Sequence, residues 1–126
     1  MSGRVIHGQK LGRTLGFPTA NIALNRVNVP LAGVYVVRFL NSKGVAINGV
    51  ANIGVKPTVG NFKPSLEVHL LDFKGDLYGE RATVQFLSKI RDEQRFSGVE
   101  ALTEQIQKDI DTARAYLVSK ETDDLQ

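Results

Sequence analysis

From Gly33 the chain is apolar almost without a break, Val34-Tyr35-Val36-Val37-Arg38-Phe39-Leu40, before the polar stretch Asn41-Ser42-Lys43-Gly44 and a second apolar start at Val45-Ala46-Ile47. β-branched and aromatic residues on either side of an Asn/Ser/Gly turn predict a strand, a turn and a returning strand. The second strand runs on towards Ile53, and Gly49 and Gly54 within it mark a bulge or a close backbone approach. Residues 54–65 carry Pro57, Gly60, Asn61 and Pro64 and read as a loop. Leu66, Val68 and Leu70 then alternate with Glu67 and His69, so a strand here buries its aliphatics and turns Glu67 and His69 together to the other face. After a turn at Lys74-Gly75-Asp76, residues 81–90 alternate again around Ala82, Val84 and Phe86 and predict one more strand.

The period changes only near the C-terminus. Ser97 and Glu100 form an S-x-x-E capping box, and Val99, Leu102, Ile106, Ile110, Ala113 and Leu117 follow at spacings of three and four. This predicts one helix with an apolar stripe packed on the strands and an outer face bearing Glu104, Lys108, Asp111 and Arg114. The tail from Ser119 to Gln126 is polar enough to fray. Near the N-terminus a short apolar segment, Gly3 to His7, precedes a loop in which Gly8, Gly12 and Gly16 recur every four residues. Five or six short strands and one late helix point to a mainly β fold, a barrel with a helix packed on it, and not to a βαβ fold. With 126 residues the chain fits one domain, residues 1–126, with a core over 3–117 and a polar tail over 118–126.

Charge divides this chain in two. No Asp or Glu occurs from Met1 to Leu66, where eight Lys and Arg residues stand, while residues 67–126 hold all 13 acids and eight bases. The first half therefore sums to +8 and the second to −5, which marks the first half as a place for an anion. Its cations are scattered singly, without runs or helical stripes, so a small anionic ligand suits it better than a nucleic acid. There is no cysteine, hence no disulfide, thiolate metal site or cysteine nucleophile, which suits a reducing, cytoplasmic setting. No apolar run approaches the ~20 residues of a membrane helix, and no secretory signal is present, so a soluble protein without a membrane partner is expected.

Three features could carry chemistry. In Pro18-Thr19-Ala20-Asn21 an extended backbone sets Thr19 and Asn21 on one face. Their two neutral oxygens could complete the shell of a magnesium ion that arrives with a phosphate ligand, or could satisfy turn hydrogen bonds. Ahead of them, Gly8, Lys10, Gly12, Arg13 and Gly16 could lay backbone N–H groups and cations along a phosphate chain, or form a glycine-rich surface turn. Neither a Walker motif nor a G-x-G-x-x-G fingerprint occurs. Glu67, the first carboxylate of the chain, stands at the border of the basic half. It could act as a general base in phosphoryl transfer to an alcohol, or be an ordinary barrel-surface glutamate. With only His7 and His69 available, no Ser-His-Asp arrangement or histidine metal spacing can be assembled.

Taken in order, Gly3-Arg4-Val5-Ile6-His7-Gly8, Gly12-Arg13-Thr14-Leu15-Gly16-Phe17-Pro18-Thr19-Ala20-Asn21, Gly33-Val34-Tyr35, Asn52-Ile53-Gly54 with Pro57-Thr58, Leu66-Glu67-Val68-His69, Tyr78-Gly79, and Ile90-Arg91 ahead of Phe96 resemble the riboflavin kinase domain that forms the C-terminal half of bacterial bifunctional FAD synthetases. The resemblance extends from Gly3 to about Leu117. It implies a six-stranded Greek-key barrel with a C-terminal helix, and conversion of ATP and riboflavin to ADP and FMN. Carried over residue by residue, it implies that Thr19 and Asn21 bind the magnesium nucleotide and that Glu67 takes the proton from the terminal ribityl hydroxyl. Gly8 and Arg13 match nucleotide-loop positions, and Arg91 to Phe96 match a mobile loop that closes over the flavin. At Lys56 relatives often carry asparagine. The adenylyltransferase half, with its H-x-G-H type site, is absent from these residues, so FAD synthesis is not expected. A covalently linked adenylyltransferase domain would be the partner in a full-length protein, and Gly3 falls where the kinase domain begins, as in an excised domain, although a free-standing kinase fits too. The competing reading is a non-catalytic β-barrel that binds flavin or nucleic acid. Against it, the nine aromatics are scattered and do not cluster with Lys and Arg.

Overall fold

A computed structural model describes residues 2–6, 17–23, 32–58, 61–73 and 79–124. Six strands, β1 (Ser2–Ile6), β2 (Ala20–Ile22), β3 (Gly33–Asn41), β4 (Ala46–Thr58), β5 (Asn61–Leu70) and β6 (Arg81–Arg91), are followed by one long helix, α1 (Val99–Asp124). The strands close into a barrel in the order β1-β2-β5-β4-β3-β6, and every pair is antiparallel. β3, β4 and β5 follow one another and β6 returns beside β3, which is a Greek key.

The unbroken apolar run of β3 is explained by burial on both faces. Tyr35, Val37 and Phe39 point into the barrel core, while Val34 and Val36 are buried on the face that the helix covers. Leu66, Val68 and Leu70 of β5 join the core as their alternation predicts, with Ala82 and Val84 of β6 opposite. A large aliphatic buried this fully contributes ~1.5–3 kcal/mol relative to exposure. The expected β3–β4 turn forms at Asn41, whose side chain accepts from the N–H groups of Lys43 (2.9 Å) and Val45 (3.0 Å).

Residues 54–58 and 61–65 are strand and not loop. β4 and β5 continue as a two-stranded ribbon, pairing Gly54 with Ser65 through to Thr58 with Asn61. Among the described residues β3 reaches β4 only as far as Ile53, and β2 reaches β5 only as far as Leu66. Pro57 and Pro64 therefore lie where each strand has a single neighbour, and a missing N–H there breaks no second ladder. The helix also departs from expectation at its ends. Its first backbone bond runs from Leu102 N–H to the Gly98 carbonyl, one residue beyond the Ser97 cap, and Val99 is exposed. It is helix through Asp124, past Ser119: no Gly or Pro interrupts residues 118–124, and the Lys120 ammonium lies over the Tyr116 ring one turn back.

Candidate active site

Glu67 stands in a row that crosses five strands. Its register partners are Asn21 on β2 and Asn52 on β4; Asn52 faces Val34 on β3, and Val34 faces Arg91 on β6. Directly opposite residues share a face, so this row runs along the outer wall of the barrel, away from the core. Register shifts in the β3–β6 ladder at Val34/Tyr35 and Val36/Val37 bring Arg91 into it.

Over the row lies a cavity of about 250 Å³, just under the ~300–1,000 Å³ usual for small-molecule sites. Thr19, Asn52, Glu67 and His69 form its polar wall, Leu102, Ile106 and Ile110 of α1 its apolar roof, and Arg91, Glu93 and Phe96 its far end. Thr19, Glu67, Arg91 and Phe96 are thus brought to one cavity. Asn21 is buried beside Glu67 and lies outside the cavity lining. Gly8, Lys10, Gly12, Arg13 and Gly16 fall outside the described residues.

Three features were not anticipated from sequence. His69 donates from Nδ1 to the Pro18 carbonyl at 2.8 Å and meets the Phe17 ring edge-on, so it ties the start of the Pro18-Thr19-Ala20-Asn21 segment to β5. The signal was its place two residues after Glu67, on the same strand face. Glu93 reaches the cavity by lying on Gly54: a Cβ there would come within 2.5 Å of its Oε1. Gly49 likewise leaves room for β5, since its Cβ would stand 2.8 Å from the His69 carbonyl, so both glycines mark close approaches as expected.

The third is Asp109, on the buried side of α1 at 4% exposure. Arg91 donates from Nε and Nη2 to its carboxylate at 2.9–3.2 Å, and the Gln105 amide donates to Oδ1 at 3.0 Å. Arg91 Nη1 also reaches the Asp92 carbonyl, and its guanidinium lies 5.6 Å from the Phe96 ring centre. Beside them Asp92 is paired with Lys89, whose hydrogen bond holds the Asp92 carboxyl below its usual range.

Among the described residues no group of three or more His, Cys, Asp or Glu side chains could hold a metal. The side-chain oxygens of Thr19 and Asn52, which line the cavity, and of Asn21, beside Glu67 in register, are neutral and hard. They suit magnesium that keeps most of its shell as water and phosphate, and no metal that demands a full protein cage. No helix of the described residues is long and apolar enough to cross a membrane.

The cavity thus sets a polar wall against an apolar roof on a Greek-key barrel. The riboflavin kinase family (Flavokinase) matches residues 1–117, and the chain belongs to that family. It is 58% identical over 116 residues to a bifunctional riboflavin kinase/FMN adenylyltransferase of Pseudomonas fluorescens, covering 91% of this chain and 37% of that protein. A protein of the same description from Haemophilus influenzae is 50% identical over 117 residues, 93% of this chain and 38% of its own length. The chain thus spans little more than a third of these relatives. Among solved structures, a riboflavin kinase from Trypanosoma brucei aligns with a TM-score of 0.69 at 27% identity, over 92% of this chain and 74% of that one. A Streptococcus pneumoniae structure titled macrolide-efflux protein aligns with a TM-score of 0.82 at 37% identity, over 90% and 37%.

Proposed function

We propose that this chain transfers the γ-phosphoryl group of ATP to the terminal ribityl hydroxyl of riboflavin, giving FMN and ADP. The observation that carries the reading is Glu67, a carboxylate on the cavity wall flanked in register by Asn21 and Asn52. Glu67 accepts the hydroxyl proton as the ribityl oxygen forms its bond to the γ-phosphorus and the bond from that phosphorus to the β-bridging oxygen breaks, leaving ADP. Thr19 and Asn21 would hold magnesium, which when bound neutralises charge on the phosphates. The apolar roof of Leu102, Ile106 and Ile110 and the Arg91–Phe96 end would receive the flavin ring. Gly8, Lys10, Gly12, Arg13 and Gly16 would line the phosphate chain. An adenylyltransferase domain, as named in the bifunctional relatives, would be the covalent neighbour in a longer protein.

Incubation with riboflavin, ATP and magnesium, followed by chromatographic separation of the flavins, tests the activity. FMN should appear. Glu67→Gln should lower kcat by ~100-fold or more while riboflavin still quenches or is quenched on binding. Unchanged riboflavin with folded wild-type protein would overturn the kinase reading and leave a binding module.

A further inference from the structure

The cavity's electrostatics run against those of a phosphate site. Among the described residues its charged lining, His69 apart, consists of the carboxylates Glu67, Glu93 and Asp109 and the guanidinium of Arg91. That guanidinium is already engaged by Asp109, which is itself saturated by two contacts from Arg91 Nε, one from Nη2 and one from Gln105. A further donor from Arg91 goes to the Asp92 carbonyl, and its plane is held against Phe96. What remains towards the cavity is a flat, fixed surface with its charge cancelled. An arginine so placed without its partner would be a strong anion receptor, because a bidentate guanidinium binds phosphate oxygens as readily as a carboxylate.

We propose that Asp109 is a specificity-determining positioning residue: it neutralises and orients Arg91 so that this end of the cavity receives an uncharged planar ring and refuses phosphate. The proposal rests on the reading of the cavity as the flavin site. It assigns the two substrates of a bisubstrate reaction to opposite ends by charge. The first half of the chain, with eight bases and no acid, would serve the phosphates, and the helix supplies the carboxylate that silences Arg91 at the other end.

The test is steady-state kinetics on the 126-residue chain for wild type, Asp109→Asn, Asp109→Glu and the double variant Arg91→Met/Asp109→Leu, with inorganic pyrophosphate as the anion probe. Asp109→Asn should raise the riboflavin KM about tenfold or more, leave the ATP KM within about twofold, and make pyrophosphate competitive with riboflavin. Asp109→Glu, which restores the charge on a longer arm, should recover part of the riboflavin KM and remove that competition. A merely structural aspartate would move both KM values together or neither, and that result overturns the proposal. Should Asp109→Asn fail to fold, the double variant decides. It has no charge to attract pyrophosphate and nothing to hold the ring wall, so riboflavin KM should rise without pyrophosphate competition. A wild-type riboflavin KM in that variant overturns the proposal. A folded wild type that phosphorylates no riboflavin removes the functional reading, and this inference with it.

Discussion

Helix α1 is fastened to the barrel by two Asp–Arg pairs of almost the same geometry. In one, Arg91 of β6 grips Asp109 of the helix at 2.9 Å; in the other, Arg114 of the helix grips Asp72, in the turn after β5, with two bonds of 3.0 Å. Side-chain exposure is 19% and 5% in the first pair, 48% and 76% in the second. Equal geometry does not mean equal consequence. Water already solvates the outer pair, so forming it changes little, whereas the inner pair has surrendered its hydration and depends on its partners. The inner pair is where the cavity ends, and the outer pair only pins the far side of the helix.

The widest break in this comparison is Asp109→Ala. It leaves a largely buried guanidinium facing a void, and the expected loss is ~3–5 kcal/mol in urea denaturation. A loss below ~1 kcal/mol would mean that water reaches Arg91 freely and that the two pairs do not differ after all. Arg91→Met/Asp109→Leu sharpens the point by removing both charges at similar volume. Its stability should lie near that of wild type or up to ~1–4 kcal/mol above it. Combined with a raised riboflavin KM, that outcome would show that the buried pair is kept for substrate choice and not for stability.

Asp109 could have been found in the sequence. It stands three residues after Ile106 and four before Ala113, on the apolar stripe of the helix, and a carboxylate at a core position requires a partner. Which partner was not legible, because Arg91 is 18 residues away and the pairing depends on how α1 crosses β6. Glu67 and His69 were legible because strand alternation fixes a face without tertiary knowledge. The ribbon over residues 54–58 and 61–65 was not, since its prolines are tolerated where, among the described residues, no third strand pairs, and that is a property of the barrel. The strand-by-strand order was likewise hidden: nothing local says that β6 returns to β3. The proposed phosphate end includes Gly8, Lys10, Gly12, Arg13 and Gly16, outside the described residues, and Thr19 and Asn21, of which only Thr19 lines the cavity.

The smallest effect belongs to the outer pair, and it can be isolated cleanly. Asp72 has φ of 57°, a left-handed conformation that asparagine also accepts, so Asp72→Asn removes the charge without straining the turn. Hydrogen bonding to Arg114, with its charge beside it, holds the Asp72 carboxyl below the usual range. A carboxylate with a depressed folded pKa stabilises the fold above its ordinary range, and that contribution disappears as pH falls through the folded value. The variant should therefore be slightly less stable than wild type near neutral pH, and the two urea midpoints should converge as the carboxyl of the wild type is protonated in acid. Added salt should shrink the neutral-pH gap further, because an exposed pair is screened. A gap at neutral pH as large as that of Asp109→Ala would show that the turn after β5 anchors the helix as firmly as the cavity end does.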